Sequence, residues 1–305
     1  MSLKLGLLGF GEAGQGVAEG LICTGVPIDI LTWDILFPDA GKGAALVKAA
    51  ERIGVKRAAS AAEVAGHAEL VISAVTTDQS LVAARQIAPH LGKGTLYLDF
   101  NSTSPGKKRQ VAEVIDGAGA HMVEAAVMDT VPPHKHRVPL LLAGAKARDV
   151  VSKLAPYNMR IEALDGGIGS ASTIKMCRSV FMKGLDGLLY ECLVSANRAG
   201  VGDVVLDSLQ KSFPGLDWAQ LAGRKLGGAA IHSGRRAGEM REVAVTLTEL
   251  GIKPLMASAT ADRLQAIADL GLKAYADENG VPKTVADFMA ALAALERQGR
   301  AEAAE

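Results

Sequence analysis

The sequence predicts an α/β domain built on a doubly wound parallel sheet, followed by an all-helical domain. Short apolar runs alternate with helical patterns through the first half of the chain, which is the order of βαβ units in a parallel sheet. A glycine-rich turn follows the first apolar run, and beyond Asp165–Gly169 the patterns are helical. We therefore expect residues 1–165 to form the α/β domain and residues 166–305 to form the helical domain.

Composition excludes several classes of protein. The 305 residues are enough for two domains with a sizeable core. Because 33 basic residues balance 33 acidic ones, a nucleic-acid or membrane-surface binder is not expected. The chain has neither an apolar run of about 18 residues that could cross a membrane nor a signal-peptide pattern. Its three cysteines are widely spaced, so we expect reduced thiols in a cytoplasmic protein, with no disulfide framework and no metal site.

The first βαβ unit carries the strongest motif. The apolar run Leu3–Leu8 leads into Gly9–Gly14, which reads GxGxxG, and a helical pattern follows. In a Rossmann fold the first glycine permits the tight turn, the second lets the backbone approach a pyrophosphate, and the third lets the helix pack closely on the strand. The next apolar run, Ile28–Trp33, ends at Asp34, where a carboxylate would bind the ribose 2′-hydroxyl of NAD. The segment therefore predicts a dinucleotide site.

The residues after Asp34 favour NAD over NADP. Neither Lys nor Arg occurs between Asp34 and Lys42, so a 2′-phosphate would lack a cation there. The carboxylate of Asp34 would also repel that phosphate. NADP stays possible if a more distant arginine reaches the site.

Two further apolar runs predict buried strands with polar residues at their ends. Leu70–Val75 leads into Thr76, and Thr95–Asp99 leads into Asn101–Pro105. Ligands of open parallel sheets bind at the carboxyl ends of the strands. Ser104 and Pro105 also fit the cap and first turn of a helix, so this cluster has a structural interpretation beside a functional one. The predicted cofactor-binding residues are Gly9, Phe10, Gly11, Glu12, Ala13, Gly14, Asp34, Val75, Thr76 and Asn101.

The remaining patterns complete the two domains. Further strands are predicted at His121–Val127, Val138–Gly144 and Met159–Leu164. In the helical domain we expect helices at Ser170–Ala199, Val201–Ser212, Trp218–Leu226, Gly234–Leu250, Lys253–Leu270 and Thr284–Gln298. Cys177, on the first of these helices, is expected to be a buried structural thiol.

The long helix at Ser170–Ala199 carries a second candidate group. Lys175, Arg178 and Ser179 share one face at helical spacing, and Lys183 lies close to it. Cations near the start of an apolar helix are unfavourable to bury unless they meet an anion or line a cleft. The alternative is a solvated stripe on a surface helix.

The chain resembles the β-hydroxyacid dehydrogenase superfamily, which includes 3-hydroxyisobutyrate and 6-phosphogluconate dehydrogenases. It is most similar to the branch whose C-terminal domain was long catalogued as a domain of unknown function. Besides the GxGxxG turn, Trp33-Asp34 with Phe37–Ala40 resembles the NAD-dependent 3-hydroxyisobutyrate dehydrogenases. Asp99–Pro105 resembles the family's Asp-x-Ser-Thr-x-x-Pro loop, and Gly169–Met176 resembles its Gly-x-Gly-x-x-x-Lys segment.

The resemblance implies hydride transfer between a nicotinamide and a small β-hydroxyacid carrying a carboxylate. Lys175 would be the general acid–base and Asn101 its catalytic partner. The implied substrate-binding residues are Ser102, Thr103, Arg178, Ser179 and Lys183. Relatives also imply a homodimer formed through the C-terminal helices.

Three departures from the family pattern predict a different substrate pocket. Ala171 stands at the second glycine of the lysine segment, and Ser179 stands where the family usually has Asn. Met128-Asp129-Thr130 replaces the family's Ser-Gly-Gly loop.

Two alternatives stay open at this point. The first is an imine reductase-like enzyme that uses NADPH, but such relatives usually have Asp or Tyr at the Lys175 position and Arg after the second strand, where this chain has Asp34. The second is a non-catalytic dinucleotide-binding scaffold, which the altered loop allows and Lys175 disfavours.

A further basic group at 232–236 could reach the cleft or form an exposed, salt-bridged helix face.

Overall fold

The computed structural model describes residues 2–302, with side chains to residue 298. Met1 and residues 303–305, which belong to the two predicted domains, lie outside the described residues. By its contacts the chain forms two compact units, one ending at Met176 and the other beginning at Cys177. The domain boundary predicted at residues 165 and 166 stays a prediction.

One eight-stranded sheet organises the first unit. Its strands lie in the order β3-β2-β1-β4-β5-β6-β7-β8. Their bounds are β1 Leu3–Leu8, β2 Ile28–Trp33, β3 Lys56–Arg57, β4 Leu70–Ser73, β5 Leu96–Asp99, β6 His121–Val127, β7 Leu140–Ala143 and β8 Ile161–Ala163. The chain order reverses between β1 and β4, and in sheets of this kind ligands bind beyond the carboxyl ends of the strands at such a switch point.

Helices cover both faces of the sheet because its strands are apolar on both sides. Leu70 and Ile72 of β4 face one core, and Val71 between them faces the other. The helices of this unit are α1 Glu12–Ile22, α2 Ala44–Ile53, α3 Ala61–His67, α4 Ser80–Ile87, α5 Pro105–Gly117, α6 Val131–His134 and α7 Ala147–Leu154. Helices α1, α2 and α7 supply buried residues to the first core, and α3, α4 and α5 supply them to the second. The predicted fold class is confirmed.

The sheet departs from the expected parallel order at one place. Strand β7 pairs antiparallel with β6, and β8 runs parallel to β7. A parallel connection between β6 and β7 would need a crossover segment as long as the strand itself. The helix in that segment, α6, has four residues and at 1.5 Å per residue is only about 6 Å long. It is too short for a crossover, so β7 returns antiparallel to β6. The edge strand β3, of two residues, was not predicted and pairs with β2.

Helices make up the rest of the described chain. They are α8 Ser170–Arg198, α9 Gly202–Ser212, α10 Trp218–Glu249, α11 Leu255–Asp269, α12 Leu272–Asn279 and α13 Val285–Glu302. The predicted all-helical character is confirmed, and α12 is an element that the sequence did not predict. Cys177 is exposed, so the expectation of a buried thiol was wrong. In residues 2–302 no helix is both long and apolar enough to span a membrane.

Helix α10 corrects the prediction of two separate helices. Residues 227–233, expected to separate them, lie inside one helix of 32 residues. A Cβ on Gly223 would lie 2.4 Å from the carbonyl oxygen of Lys283, and one on Gly227 would lie 2.1 Å from that of Pro282. These glycines permit close backbone packing within the second unit, and they do not end the helix.

Candidate functional site

The glycine turn after β1 has the geometry that a dinucleotide site requires. Gly9 adopts a φ of +86°, a left-handed conformation that favours glycine. A Cβ on Gly9 would lie 2.4 Å from the carbonyl oxygen of Ala74, and one on Gly14 would lie 2.3 Å from that of Gly9. A Cβ on Gly11 would meet no atom of the described chain within 4 Å. The first and third glycines are therefore required by packing, and the second faces open space.

Helix α1 begins directly after this turn. Gly11 is its N-cap, and Glu12 and Ala13 are its first two residues. Since glycine has no side chain, Gly11 cannot cap the first N–H groups of the helix itself, and such groups bind phosphate oxygens well. Glu12 is exposed in this first turn.

Asp34 connects the end of β2 to the glycine turn. Its Oδ2 accepts a hydrogen bond from the N–H of Phe10 at 2.7 Å, and its Oδ1 accepts one from the N–H of Leu36 at 2.9 Å. The Phe10 ring is fully buried, 6.1 Å from that of Phe37. The N–H of Phe10 is thus already bonded within the domain.

Asn101 connects the ends of β4 and β5. Its Oδ1 accepts a hydrogen bond from the N–H of Val75 at 2.8 Å. Its Nδ2 donates to Ser73 Oγ at 3.1 Å, to Ser80 Oγ at 3.3 Å and to the carboxylate of Asp99. With 4% of its surface exposed, the side chain is a buried link between two strand ends. Its direct contact with a cofactor or substrate stays a prediction.

A buried ion pair lies beneath this link. Lys108 Nζ donates to the backbone oxygen of Asp99 at 2.9 Å and to its Oδ2 at 3.1 Å. Both side chains are almost completely buried, 1% exposed for Lys108 and 0% for Asp99. Sequence reasoning missed this pair, although a lysine and an aspartate flanking the Asn101–Pro105 loop could have suggested it.

Thr76 and Asp78 follow β4 at the same edge. Thr76 is exposed, and its carbonyl oxygen accepts a hydrogen bond from the N–H of Gln79 at 3.0 Å. Hydrogen bonds from Gln79 and Thr76 lower the pKa of the Asp78 carboxyl. The edge therefore carries a second acidic group besides Asp34.

Lys175 lies directly beside Ser102 in the first unit. The first turns of α8 belong to that unit, and Lys175 Nζ donates a hydrogen bond to Ser102 Oγ at 2.5 Å. Lys175 is half-buried. Thr103, the next residue of the loop, is fully buried, and its Oγ1 has no hydrogen-bond partner among residues 2–302. The structure thus brings an amine and two hydroxyl groups to the end of β5.

The start of α8 is bound by an acidic residue of the sheet. Glu124 of β6 is fully buried and accepts hydrogen bonds from the N–H groups of Gly169 and Ala171 and from the hydroxyl of Ser172. Sequence reasoning did not single out this residue. An acid inside the otherwise apolar stretch 122–127 was the available signal.

The other candidate residues of α8 belong to the second unit. Lys183 Nζ donates to Ser179 Oγ at 3.1 Å and pairs with Glu239 Oε2 at 3.0 Å. Both partners of this ion pair are largely buried, and Arg235 bonds the other oxygen of the same carboxylate. Arg178 is exposed.

The basic group at 232–236 is largely ion-paired in the same unit. Arg235 Nη1 bonds Glu239 Oε1 at 2.5 Å, and Arg236 Nη1 bonds Asp186 Oδ2 at 2.9 Å. These pairs favour the structural interpretation of Arg235 and Arg236.

Two family models match the chain. Residues 4–157 match the NAD binding domain of 6-phosphogluconate dehydrogenase, and residues 196–267 match a domain of unknown function (DUF1932).

Solved structures extend the likeness over nearly the whole chain. A conserved hypothetical protein from Sinorhizobium meliloti 1021 is 35% identical, covering 97% of each chain with a TM-score of 0.74. A conserved protein of unknown function, described as structurally similar to 3-hydroxyacid dehydrogenases, is 32% identical over 89% of this chain and 99% of that one, with a TM-score of 0.70. The 3-hydroxyisobutyrate dehydrogenase of Mycobacterium tuberculosis, solved with L-serine, is 17% identical over 97% of this chain and 99% of that one, with a TM-score of 0.71, a likeness of fold alone.

The matched N-terminal domain and the glycine turn define the class as that of dinucleotide-dependent oxidoreductases. Within it, the chain belongs to the β-hydroxyacid dehydrogenase superfamily, in the branch that joins a 6-phosphogluconate dehydrogenase-type NAD-binding domain to the helical domain of unknown function. The predicted superfamily and branch are confirmed.

Proposed function

We propose that this protein is an NAD(P)-dependent dehydrogenase of small β-hydroxyacids, with Lys175 as its general acid–base. The observation that carries the proposal is the hydrogen bond from Lys175 Nζ to Ser102 Oγ. It puts an amine at the end of β5, two strands from the glycine turn that follows β1. Ser102 directly follows Asn101 in the loop after β5. In the proposed reaction, the Lys175 amine and this loop contact the same substrate oxygen.

The residues present fit a dinucleotide. The open space at Gly11 allows a pyrophosphate to approach the backbone, and the first N–H groups of α1 would bind its oxygens. Asp34 would accept a hydrogen bond from the adenosine ribose. Val75 and Thr76, at the end of β4, would line the path between the pyrophosphate and the nicotinamide.

The chemistry needs one proton transfer from the protein. When bound, the nicotinamide supplies the hydride acceptor for the hydroxyl-bearing carbon. Lys175, with its amine unprotonated, takes the hydroxyl proton as the carbonyl forms and returns it in the reverse direction. Ser102 Oγ, already hydrogen-bonded to Nζ, would orient the reacting oxygen beside both groups, and Thr103 would support the same loop.

The substrate carboxylate would bind to Arg178. Guanidinium groups bind carboxylates well because two parallel N–H groups match the two oxygens. Lys183 is given a different role because its amine is largely buried in an ion pair with Glu239. In the proposal, Lys183 instead orients Ser179, which occupies the family's usual Asn position.

NAD is the proposed cofactor in preference to NADP. The carboxylate of Asp34 lies at the end of β2, where it would repel a 2′-phosphate. An imine reductase-like activity is disfavoured by the same residue and by Lys175.

Steady-state turnover tests the proposal. A panel of small β-hydroxyacids, including L-serine and 3-hydroxyisobutyrate, is assayed with NAD and with NADP. Lys175→Ala should lower kcat by about 10²–10⁴-fold on the active substrate. It should leave NAD affinity unchanged, because the phosphate site is elsewhere. Lys153→Ala, which removes a lysine paired with Glu69, is the matched control and should retain full turnover.

Two outcomes contradict the proposal. A Lys175→Ala enzyme with full turnover would remove the general acid–base. Tight NAD binding without turnover on any acid of the panel would favour the non-catalytic scaffold.

The proposed assembly is a homodimer formed through the C-terminal helices. Phe181 and Leu188, seven residues apart on α8, are 73% and 58% exposed in the single chain. Large apolar side chains exposed in series on one helix indicate a contact surface. Light scattering at micromolar concentration should give twice the monomer mass of 31.6 kDa, and Phe181→Ser should shift the protein toward monomer. A monomeric wild-type protein would contradict this assembly.

A further inference from the structure

Glu124 is fully buried, and within the described part of the chain all hydrogen bonds of its carboxylate go to the start of α8. Its Oε1 accepts hydrogen bonds from the N–H groups of Gly169, at 2.9 Å, and Ala171, at 2.7 Å. Its Oε2 accepts one from Ser172 Oγ at 3.0 Å. All three donors lie at the N-terminus of α8, at least 45 residues from Glu124 in the chain. These three hydrogen bonds join strand β6 to the first turn of α8 through one side chain, beside the apolar packing of Ala126 on Ala171.

The arrangement suits an ionised carboxylate. The first N–H groups of a helix have no partner within the helix, and the helix dipole places partial positive charge at this end. Carboxylate oxygens are strong acceptors for such N–H groups. Glu124, whose side chain is anchored in the sheet, thus takes the role of an N-cap residue for α8.

The bound turn leads directly to Lys175. Ala171 and Ser172 precede Lys175 by four and three residues, so they are its neighbours on the helix surface. Because one helical turn joins Ala171 to Lys175, fixing the backbone of Ala171 also fixes the backbone of Lys175. From there the side chain reaches Ser102 Oγ, on the loop after β5. Since β6 pairs with β5 in the sheet, Glu124 and Ser102 are held by neighbouring strands.

We infer that Glu124 is the positioning residue for Lys175: its carboxylate fixes the first turn of α8 to the sheet and so sets the distance from Nζ to Ser102 Oγ. The inference rests on the proposed function of Lys175. Glu124 does not touch the reacting atoms and acts only through the helix. A misplacement of about 1 Å at a reacting group lowers rates by about 10²-fold, so loss of this contact should be visible in kcat.

Three substitutions at the contact should form a graded series. Glu124→Ala removes all three hydrogen bonds and should lower kcat by about 10²-fold. Glu124→Gln keeps an acceptor for the two N–H groups and a donor for the Ser172 hydroxyl, so it should restore most of the turnover. Ser172→Ala removes one bond and should give an intermediate loss. KM and NAD affinity should stay unchanged, because the lost interaction serves the transition state.

Asp116→Ala is the matched control. Its carboxylate also holds β6, accepting the N–H of Met122 at 2.8 Å. That contact is at the other end of the strand, away from α8. Its loss should lower thermal stability without lowering kcat.

A double-mutant cycle separates positioning from general damage. If Glu124 acts through Lys175, Glu124→Ala should cause no further loss in a Lys175→Ala background. An equal loss in both backgrounds, or full turnover in Glu124→Ala, would overturn the inference. Should Glu124→Ala fail to fold, the same cycle is run with Ser172→Ala, which keeps the carboxylate and removes one of its hydrogen bonds.

Hydrogen exchange gives a readout that does not need turnover. In Glu124→Ala, the amide of Ala171 should exchange faster than in wild type, in Ser172→Ala it should exchange faster to a smaller extent, and in Glu124→Gln it should stay close to wild type; amides at the far end of α8 should not change in any of the three. Unchanged exchange at Ala171 in both Glu124→Ala and Ser172→Ala would overturn the inference, whatever the fate of the proposed dehydrogenase activity. Faster exchange in a protein with no turnover would leave the helix contact standing and reject the proposed function alone.

Discussion

The carboxylate of Asp34 accepts the backbone N–H of Phe10, with 2.7 Å between Asp34 Oδ2 and the Phe10 nitrogen. The acid at the end of β2 therefore holds the glycine turn at the end of β1. The pyrophosphate and ribose portions of a dinucleotide would be recognised by one connected structure. A substitution of Asp34 must be designed so that this hydrogen bond is kept.

Asp34→Asn should shift cofactor preference toward NADP. The amide oxygen can still accept the Phe10 N–H, while the negative charge that opposes a 2′-phosphate is removed. Repulsion between unit charges about 4 Å apart in water is worth about 1 kcal/mol, so the ratio of NAD to NADP affinities should fall roughly fivefold. Isothermal titration with each cofactor measures it. Asp29→Asn, on the same strand and paired with Lys56, is the control, and an unchanged ratio in Asp34→Asn would contradict the assignment.

Gly11→Ala and Gly14→Ala should separate binding from folding. A Cβ at Gly11 meets open space, so this variant should unfold at the wild-type temperature but bind dinucleotide more weakly. A Cβ at Gly14 would lie 2.3 Å from the Gly9 carbonyl oxygen, so that variant should lose about 1–3 kcal/mol of stability. Thermal unfolding and NAD titration measure the two effects. Wild-type NAD affinity in Gly11→Ala would argue against phosphate binding at this turn.

Lys108→Met should be strongly destabilising. It leaves Asp99 charged and buried without its partner, and removing one member of a buried ion pair lowers stability by about 3–5 kcal/mol. Urea unfolding monitored by circular dichroism measures the loss. Lys273→Met, which breaks an exposed pair with Asp277, is the control and should leave the midpoint unchanged. Equal midpoints for the two variants would show that the Asp99 pair does not stabilise the fold.

Acidification should destabilise the protein through His136. Burial lowers the pKa of this imidazole below 6.5, with the charges of Arg137 and Lys135 acting in the same direction. Because the folded-state pKa is below the unfolded value, the stabilisation is complete above about pH 6.5 and is lost as pH falls through the folded pKa.

The test of this pH dependence compares unfolding temperatures between about pH 7 and pH 5. His136→Asn should lose less stability than wild type over this interval. His134→Asn, which changes an exposed histidine near Asp129, is the matched control for replacing a histidine in this segment. An identical pH dependence in His136→Asn and wild type would rule His136 out as the source.

Local patterns predicted the elements well where each residue's environment depends on its neighbours in sequence. The glycine turn, β1, β2 and the start of α8 were predicted to within one residue because apolar periodicity and turn residues are local properties. The two-residue strand β3 is too short to show a period. In α10, the predicted gap at 227–233 was wrong because helix propensity ignores the segment at 281–284, which packs on Gly223 and Gly227.

Candidate residues were harder to assign than elements. Lys175 and Ser102 were both expected at the site, but their hydrogen bond joins residues 73 positions apart. Lys183 was expected to bind substrate. The residue pattern of α8 alone cannot predict its ion pair with Glu239, because that residue lies on α10. The contact of Asn101 with a ligand stays a prediction, and the hydrogen bonds that its amide makes to the end of β4 could not be predicted from the sequence.

The sequence by itself determined an α/β domain with a dinucleotide turn followed by helices, because propensity, periodicity and glycine geometry act over a few residues. Only the tertiary structure decided the antiparallel pairing of β7, the hydrogen bonds of the Asn101 amide within the domain and the hydrogen bonds from the start of α8 to Glu124. Each of these joins groups that are distant in the chain, and a donor carries no local sign of which distant acceptor it will meet. The buried polar groups are paired because leaving them unpaired is unfavourable, and folding alone selects the partners.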